Sequence, residues 1–76
     1  MNIEFSRHAK RRCKLYHIPE DKIVEIINTE GELTEGRHEI IKKAGSFIYP
    51  LKVIIEVQSE KITVITSYPL KKGRQS

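Results

Sequence analysis

Tryptophan is absent from this chain, cysteine occurs once, at position 13, and methionine once, at position 1. A lone thiol can close no intramolecular disulfide and offers no thiolate framework for zinc, which suits a reducing compartment and makes the cytoplasm the expected location. The three histidines, at positions 8, 17 and 38, lack the compact spacing of metal ligands. Glycines 31, 36, 45 and 73 are scattered, so no glycine-rich phosphate loop can be built from them. No metal or cofactor is therefore expected. The longest uninterrupted apolar stretch, Val53 to Ile55, is far too short to span a bilayer, and no apolar run precedes the first charges at the N-terminus. The expectation is a soluble, unsecreted protein with no membrane partner.

What is present is charge, unevenly placed. Lys and Arg outnumber Asp and Glu by 14 to 10, a formal net charge of +4 with a pI near 9.4. Such a balance suits a polyanionic partner, because cations that neutralise phosphates release condensed counterions. Residues Arg7 to Lys14 hold five Lys or Arg and no acid, whereas Glu20 to Glu35 holds six acids against one lysine. At 76 residues the chain makes one domain. A domain of this size buries only about 60% of the surface its unfolded chain exposes, and homodimerisation would add to that burial.

The apolar centre is the stretch from Phe47 to Tyr68. Side chains of a strand alternate between faces at period two. Phe47, Tyr49, Leu51, Val53, Ile55 and Val57 obey that period in one strand, and its firm part starts at Leu51 because Pro50 cannot donate a ladder hydrogen bond. In a second strand Ile62, Val64, Thr66 and Tyr68 share one face, and Lys61, Thr63, Ile65 and Ser67 the other. Gln58 to Lys61 supply a tight polar turn between the two.

The flanking segments follow local chemistry. Ile3 and Phe5 alternate with polar neighbours as in a short first strand, and Ser6 is a good N-cap for a helix over Arg7 to His17. At about 100° per residue, Ala9, Cys13 and Tyr16 form its buried stripe, Arg12 and His8 its shoulder, and Lys10, Arg11 and Lys14 face away. Pro19, Glu20 and Asp21 open a second helix that ends near Asn28, with Gly31 just beyond. Arg37 to Ala44 reads as an edge strand, and Gly45-Ser46 as a turn. The expected fold class is α+β: a short N-terminal strand, two helices, then a three-stranded antiparallel meander (β-α-α-β-β-β), with the helices on one face of the sheet. Residues 1–70 form the single domain and 71–76 a basic, flexible tail.

The segment S-R-H-A-K-R-R with His8 and Arg12 at H-x-x-x-R spacing, the following I-P-E-D-K-I-V-E-I-I, the strand L-K-V-I-I-E and the closing V-I-T-S-Y together resemble a widespread small prokaryotic domain of largely uncharacterised function. The element order more distantly resembles the RelE and BrnT toxins, whose fold belongs with metal-independent ribonucleases of the barnase, EndoU and colicin type. That resemblance implies a RelE-like endoribonuclease acting on RNA, in some cases on the ribosome, and an antitoxin protein as partner. It implies Tyr68 on the last strand in a catalytic role, with Lys52 and, more loosely, Arg37 as substrate-binding cations.

The residues themselves suit that chemistry. Metal-independent RNA cleavage needs a base for the 2′-hydroxyl proton, an acid for the leaving 5′-oxygen and cations for the growing phosphorane charge. His8 has the side chain for the proton steps, Arg12 one turn away can clamp a phosphate, Arg11 and Lys52 can hold charge, and Tyr68 can stack on a base or donate a proton. This set requires the first helix to lie beside the last strand. Blander readings stand beside it: the His8-Arg12 pair as a solvated helix shoulder, Tyr68 and Tyr49 as core or half-core, Arg37 as edge decoration, Lys52 as an edge gatekeeper, Cys13 as an inert small hydrophobe. A non-catalytic RNA- or protein-binding module is the alternative function.

Overall fold

The computed structural model describes residues 2–43 and 48–70. The expected Gly45-Ser46 turn, the start of the central stretch at Phe47 and the 71–76 tail lie outside the described residues. Strand β1 spans Asn2–Phe5, helix α1 Arg7–Tyr16, helix α2 Glu20–Asn28, strand β2 Gly36–Lys42, strand β3 Leu51–Gln58 and strand β4 Lys61–Pro69. The chain is thus α+β, in the element order its sequence announces.

The four strands form one sheet in the order β1-β4-β3-β2. β2, β3 and β4 make the expected antiparallel meander. β1 joins it parallel to β4, with Ile3 beside Ile62 and Phe5 beside Val64, so the sheet is mixed rather than purely antiparallel. A short strand ahead of two helices is free to return to the sheet in either direction, and alternation of Ile3 and Phe5 specifies a face without specifying a direction.

β3 shows the period-two pattern directly: Leu51, Val53, Ile55 and Val57 are buried and the residues between them are not. They meet Ile62 and Val64 of β4, Ile40 of β2, Ala9 and Cys13 of α1, and Ile23, Ile26 and Ile27 of α2 in one core cluster. Tyr16, Ile3, Phe5 and Leu33 pack on its margin. Tyr49, expected in the core or half in it, is 37% exposed, because it precedes the strand that would have turned it inward.

β4 departs from simple alternation. Ile55 pairs with Val64 but Ile54 pairs with Thr66, so Ile65 is an extra, unpaired residue, a β-bulge. Beyond it the faces exchange. Ser67, expected opposite Val64, is fully buried alongside Val53, and Thr66 and Tyr68 turn to the other face. The carbonyl of Ile65 accepts the Ser6 hydroxyl at 3.1 Å, while the Ser6 amide donates to the Val64 carbonyl at 3.0 Å. The bulge thereby anchors the start of α1, whose N-cap is the same Ser6, its Oγ accepting from the Ala9 amide at 3.0 Å.

The ends of α1 and β3 use left-handed backbone. His17 has φ 57° and ψ 44°, its amide donates to the Lys14 carbonyl, and the amide of buried Ile18 reaches back to Cys13 at 2.8 Å. That is a Schellman closure with histidine where glycine is usual. Ser59 and Glu60 have φ 50° and 62°, the signature of a type I′ hairpin turn, and the Ser59 amide donates to Glu35 Oε2 at 2.7 Å.

Candidate nucleic-acid interface

α1 is fixed to the sheet by its buried side. Ala9 and Cys13 are buried, and Cys13 Sγ lies 3.6 Å from Ser67 Oγ of β4. Burial raises the Cys13 thiol above its usual pKa, Glu20 adds to the rise and Ser67 opposes it. A protonated, enclosed thiol is a poor nucleophile, so Cys13 serves packing.

With Ala9 and Cys13 turned inward, helical phase sends Arg7, Lys10, Arg11 and Lys14 to solvent, and all four are exposed. His8 and Leu15 lie at one shoulder, both exposed, beside half-buried Arg12. Arg12 Nε lies 3.4 Å from His8 Nε2, placing the ring nitrogen as acceptor. Two shallow depressions flank this surface. One, of about 470 Å³, includes Arg7, Lys10 and the rim residue Glu20; the other, of about 510 Å³, includes His8, Arg12 and Leu15. Arg11 and Lys14 border both.

Ion pairing separates the cations of α1 from most others among the described residues, Lys43 just past β2 being the one unpaired cation outside the helix. Among the described residues, the cations Lys22, Arg37, Lys42, Lys52 and Lys61 each have a carboxylate oxygen at 3.2–3.5 Å, while none of Arg7, Lys10, Arg11, Arg12 and Lys14 forms an ion pair. Arg7 and Arg11, Lys10 and Lys14, Arg7 and Lys10, and Arg11 and Lys14 are like charges at i, i+4 or i, i+3 spacing, each destabilising an isolated helix by about 0.2–0.5 kcal/mol. No acid occupies the first turn of α1 to complement the helix dipole. Packing through Ala9 and Cys13 holds together a helix whose exposed face opposes its own formation.

The expected site residues fall into separate groups. His8, Arg11 and Arg12 stand together on α1. Lys52 and Tyr68 pair across β3 and β4, and Arg37 pairs with Glu56. α1 does lie beside β4. Yet Ser67 points at Cys13 of α1, and Tyr68, the next residue in the strand, points to the opposite face. His8 and Tyr68 are therefore not brought to one centre. Lys52 Nζ is held by Glu39 Oε1 at 3.3 Å, which together with the charge of Tyr68 raises its pKa above the ordinary lysine value. Arg37 is engaged at 3.5 Å by Glu56. His17 closes α1 through its left-handed backbone, and the ring of His38 meets the Thr34 carbonyl at 2.7 Å.

Arg7, Lys10 and Lys14 complete the α1 surface although only Arg11 of that stripe stands out as a candidate by sequence. The signal was the acid-free run itself, although Glu20 of α2 comes to the rim of the depression that Arg7, Lys10, Arg11 and Lys14 line. Among the described residues no cluster of three or more His, Cys, Asp or Glu is arranged to hold a metal ion, and no helix is long and apolar enough to cross a membrane. A comparison with known proteins finds no matching family model, no matching curated protein and no matching solved structure, so the resemblance to the RelE and BrnT toxins rests on the element order alone and that to the small prokaryotic domain on the sequence motifs.

Proposed function

We propose that this domain binds RNA through the outward face of α1. The observation that carries the reading is the contrast in pairing: the sheet cations Arg37 and Lys52 are matched by acids, and the five α1 cations are left without any among the described residues. Unmatched cations that cost helix stability gain most from a polyanion, whose phosphates relieve their repulsion and release counterions. In this reading both helices cover the Leu51, Val53, Ile55 and Val57 face of the sheet, so that α1 presents its stripe on the outer surface of the domain.

A second reading, metal-independent RNA cleavage of the RelE type, is favoured by one observation: His8 lies within hydrogen-bonding range of Arg12 inside this basic surface. A phosphate clamped by Arg12 would displace it from His8 Nε2 and free that lone pair to take a 2′-hydroxyl proton. An antitoxin covering the same face would then silence the protein. Tyr68 and Lys52 have no part in this version of the site, because they lie on the other side of β4 and β3.

Incubating the protein with a labelled RNA pool in EDTA, and measuring retention and cleavage together, tests both readings. Retention without cleavage supports binding alone; 2′,3′-cyclic phosphate ends that disappear in His8→Ala support cleavage; failure to retain RNA at low salt contradicts the proposal.

A further inference from the structure

Resting on the RNA-binding reading, we infer that the α1 face takes double-stranded RNA and holds it by the phosphate backbone without reading bases. The exposed side of α1 offers Arg7, Lys10, Arg11 and Lys14 and no Phe, Tyr or Trp; Tyr16 packs on the core margin, and the one exposed ring of the helix, His8, stands at the shoulder where Arg12 Nε donates to its Nε2. Proteins that grip single strands stack successive bases on several aromatic side chains, and a single shoulder histidine does not make such a row. The stripe also lacks Asn, Gln, Ser and Thr, the usual partners of adenine edges, and the deep, narrow A-form major groove keeps its Arg and Lys from the guanine edges they could otherwise read.

The geometry of the stripe suits a duplex. Seven residues separate Arg7 from Lys14, a rise of about 10 Å at 1.5 Å per residue. The A-form major groove is deep and narrow, which brings the phosphate rows of its two strands close together. A short, rigid row of cations laid across that groove meets phosphates from both strands at once. A flexible single strand would have to be ordered on the same row with no row of aromatic rings to offset the entropy lost. Exposed Leu15 and the acidic rim at Glu20 bound the stripe and limit contact to its central cations.

The test compares a blunt RNA duplex of about two helical turns with each of its single strands and with a DNA duplex of the same sequence, by fluorescence anisotropy of the intact protein. The duplex RNA should bind at least about tenfold more tightly than either single strand, with no dependence on sequence. Four neutralised phosphates give a slope of about −0.9 per phosphate in log K against log salt, so doubling the salt should weaken duplex binding roughly tenfold. Arg11→Gln/Lys14→Gln should lose most of that binding while far-UV circular dichroism stays unchanged. Single strands bound as tightly as the duplex, or DNA duplex bound more tightly than RNA, would overturn the inference and leave the RNA-binding reading standing. No binding to any of these nucleic acids would overturn both.

Discussion

Lys52 of β3 stands directly across from Tyr68 of β4, on the sheet face turned away from the Cys13-Ser67 contact. The bulge at Ile65 creates this pairing: without it Tyr68 would share the face of Ile62 and Val64. Lys52 is held first by Glu39 and then by Tyr68, and both raise its pKa. A group whose pKa is higher folded than unfolded contributes stability that is fully present below its unfolded pKa and is lost as pH rises through the folded value. Urea unfolding of the wild type should therefore weaken above the ordinary lysine range, about pH 10.4, by more than it does in Lys52→Met. Parallel pH profiles for the two proteins would contradict the assignment.

Removing charge from α1 should move stability and RNA binding in opposite directions. Arg7→Glu places an acid in the first helical turn and replaces two repulsions, with Lys10 and Arg11, by attractions. It should raise stability by roughly 0.3–1 kcal/mol at low salt, an effect that fades as salt is added. The same change should weaken RNA binding. Thermal melts and anisotropy on one preparation check both signs; a variant that loses stability would show that Arg7 has an acidic partner in solution.

Cys13 should be silent toward thiol reagents in the folded protein and react normally in urea. Its side chain is 4% exposed and its thiol is pushed up by burial. Rapid native-state labelling would mean that α1 leaves the sheet readily. Ser67→Ala, which removes the polar partner of the thiol among the described residues, should cost about 1 kcal/mol.

The hairpin turn is a place where the chain leaves stability unused. Ser59 and Glu60 both hold positive φ, a conformation that costs an L-residue roughly 1 kcal/mol and that Asn-Gly adopts more readily. Ser59→Asn/Glu60→Gly should raise the urea midpoint by an amount worth about 1 kcal/mol, with RNA binding unchanged. A lowered midpoint would contradict the assignment of strain to this turn, because the variant keeps the backbone amide that donates to Glu35.

Much of the fold is legible in the residues. Alternation fixed β3, because a strand buried on one face must repeat at period two, and Ser6 marked the start of α1 by its side-chain cap; Pro19, expected as the first helical residue of α2, stands just before it without a side-chain cap bond, and Gly31 takes the left-handed backbone two residues past the Thr29 cap. Two features were hidden. The direction of β1 depends on where the chain returns after two helices, which no local pattern of Ile3 and Phe5 encodes. The bulge at Ile65 was masked because Ile62, Val64, Thr66 and Tyr68 look like one continuous face; the contact that accompanies it is tertiary, the Ser6 hydroxyl donating to the Ile65 carbonyl 59 positions away. The same bulge explains why Tyr68 and His8 looked compatible in sequence and part company in space. The basic run on α1 was visible at once, whereas its lack of ion pairs follows only from where the folded acids stand.

The most direct test of RNA binding through α1 pits the two sets of cations against each other in one assay. Wild type, the α1 variant Arg11→Gln/Lys14→Gln and the sheet variant Arg37→Gln/Lys52→Met are titrated against the same labelled RNA at about 0.1 M salt. The proposal requires that the α1 variant bind roughly tenfold or more weakly, since it loses two phosphate contacts, while the sheet variant stays within about twofold of wild type because its cations are already matched by Glu56 and Glu39. Loss of binding in the sheet variant with the α1 variant unaffected would contradict it and place the interface on the Lys52-Tyr68 face.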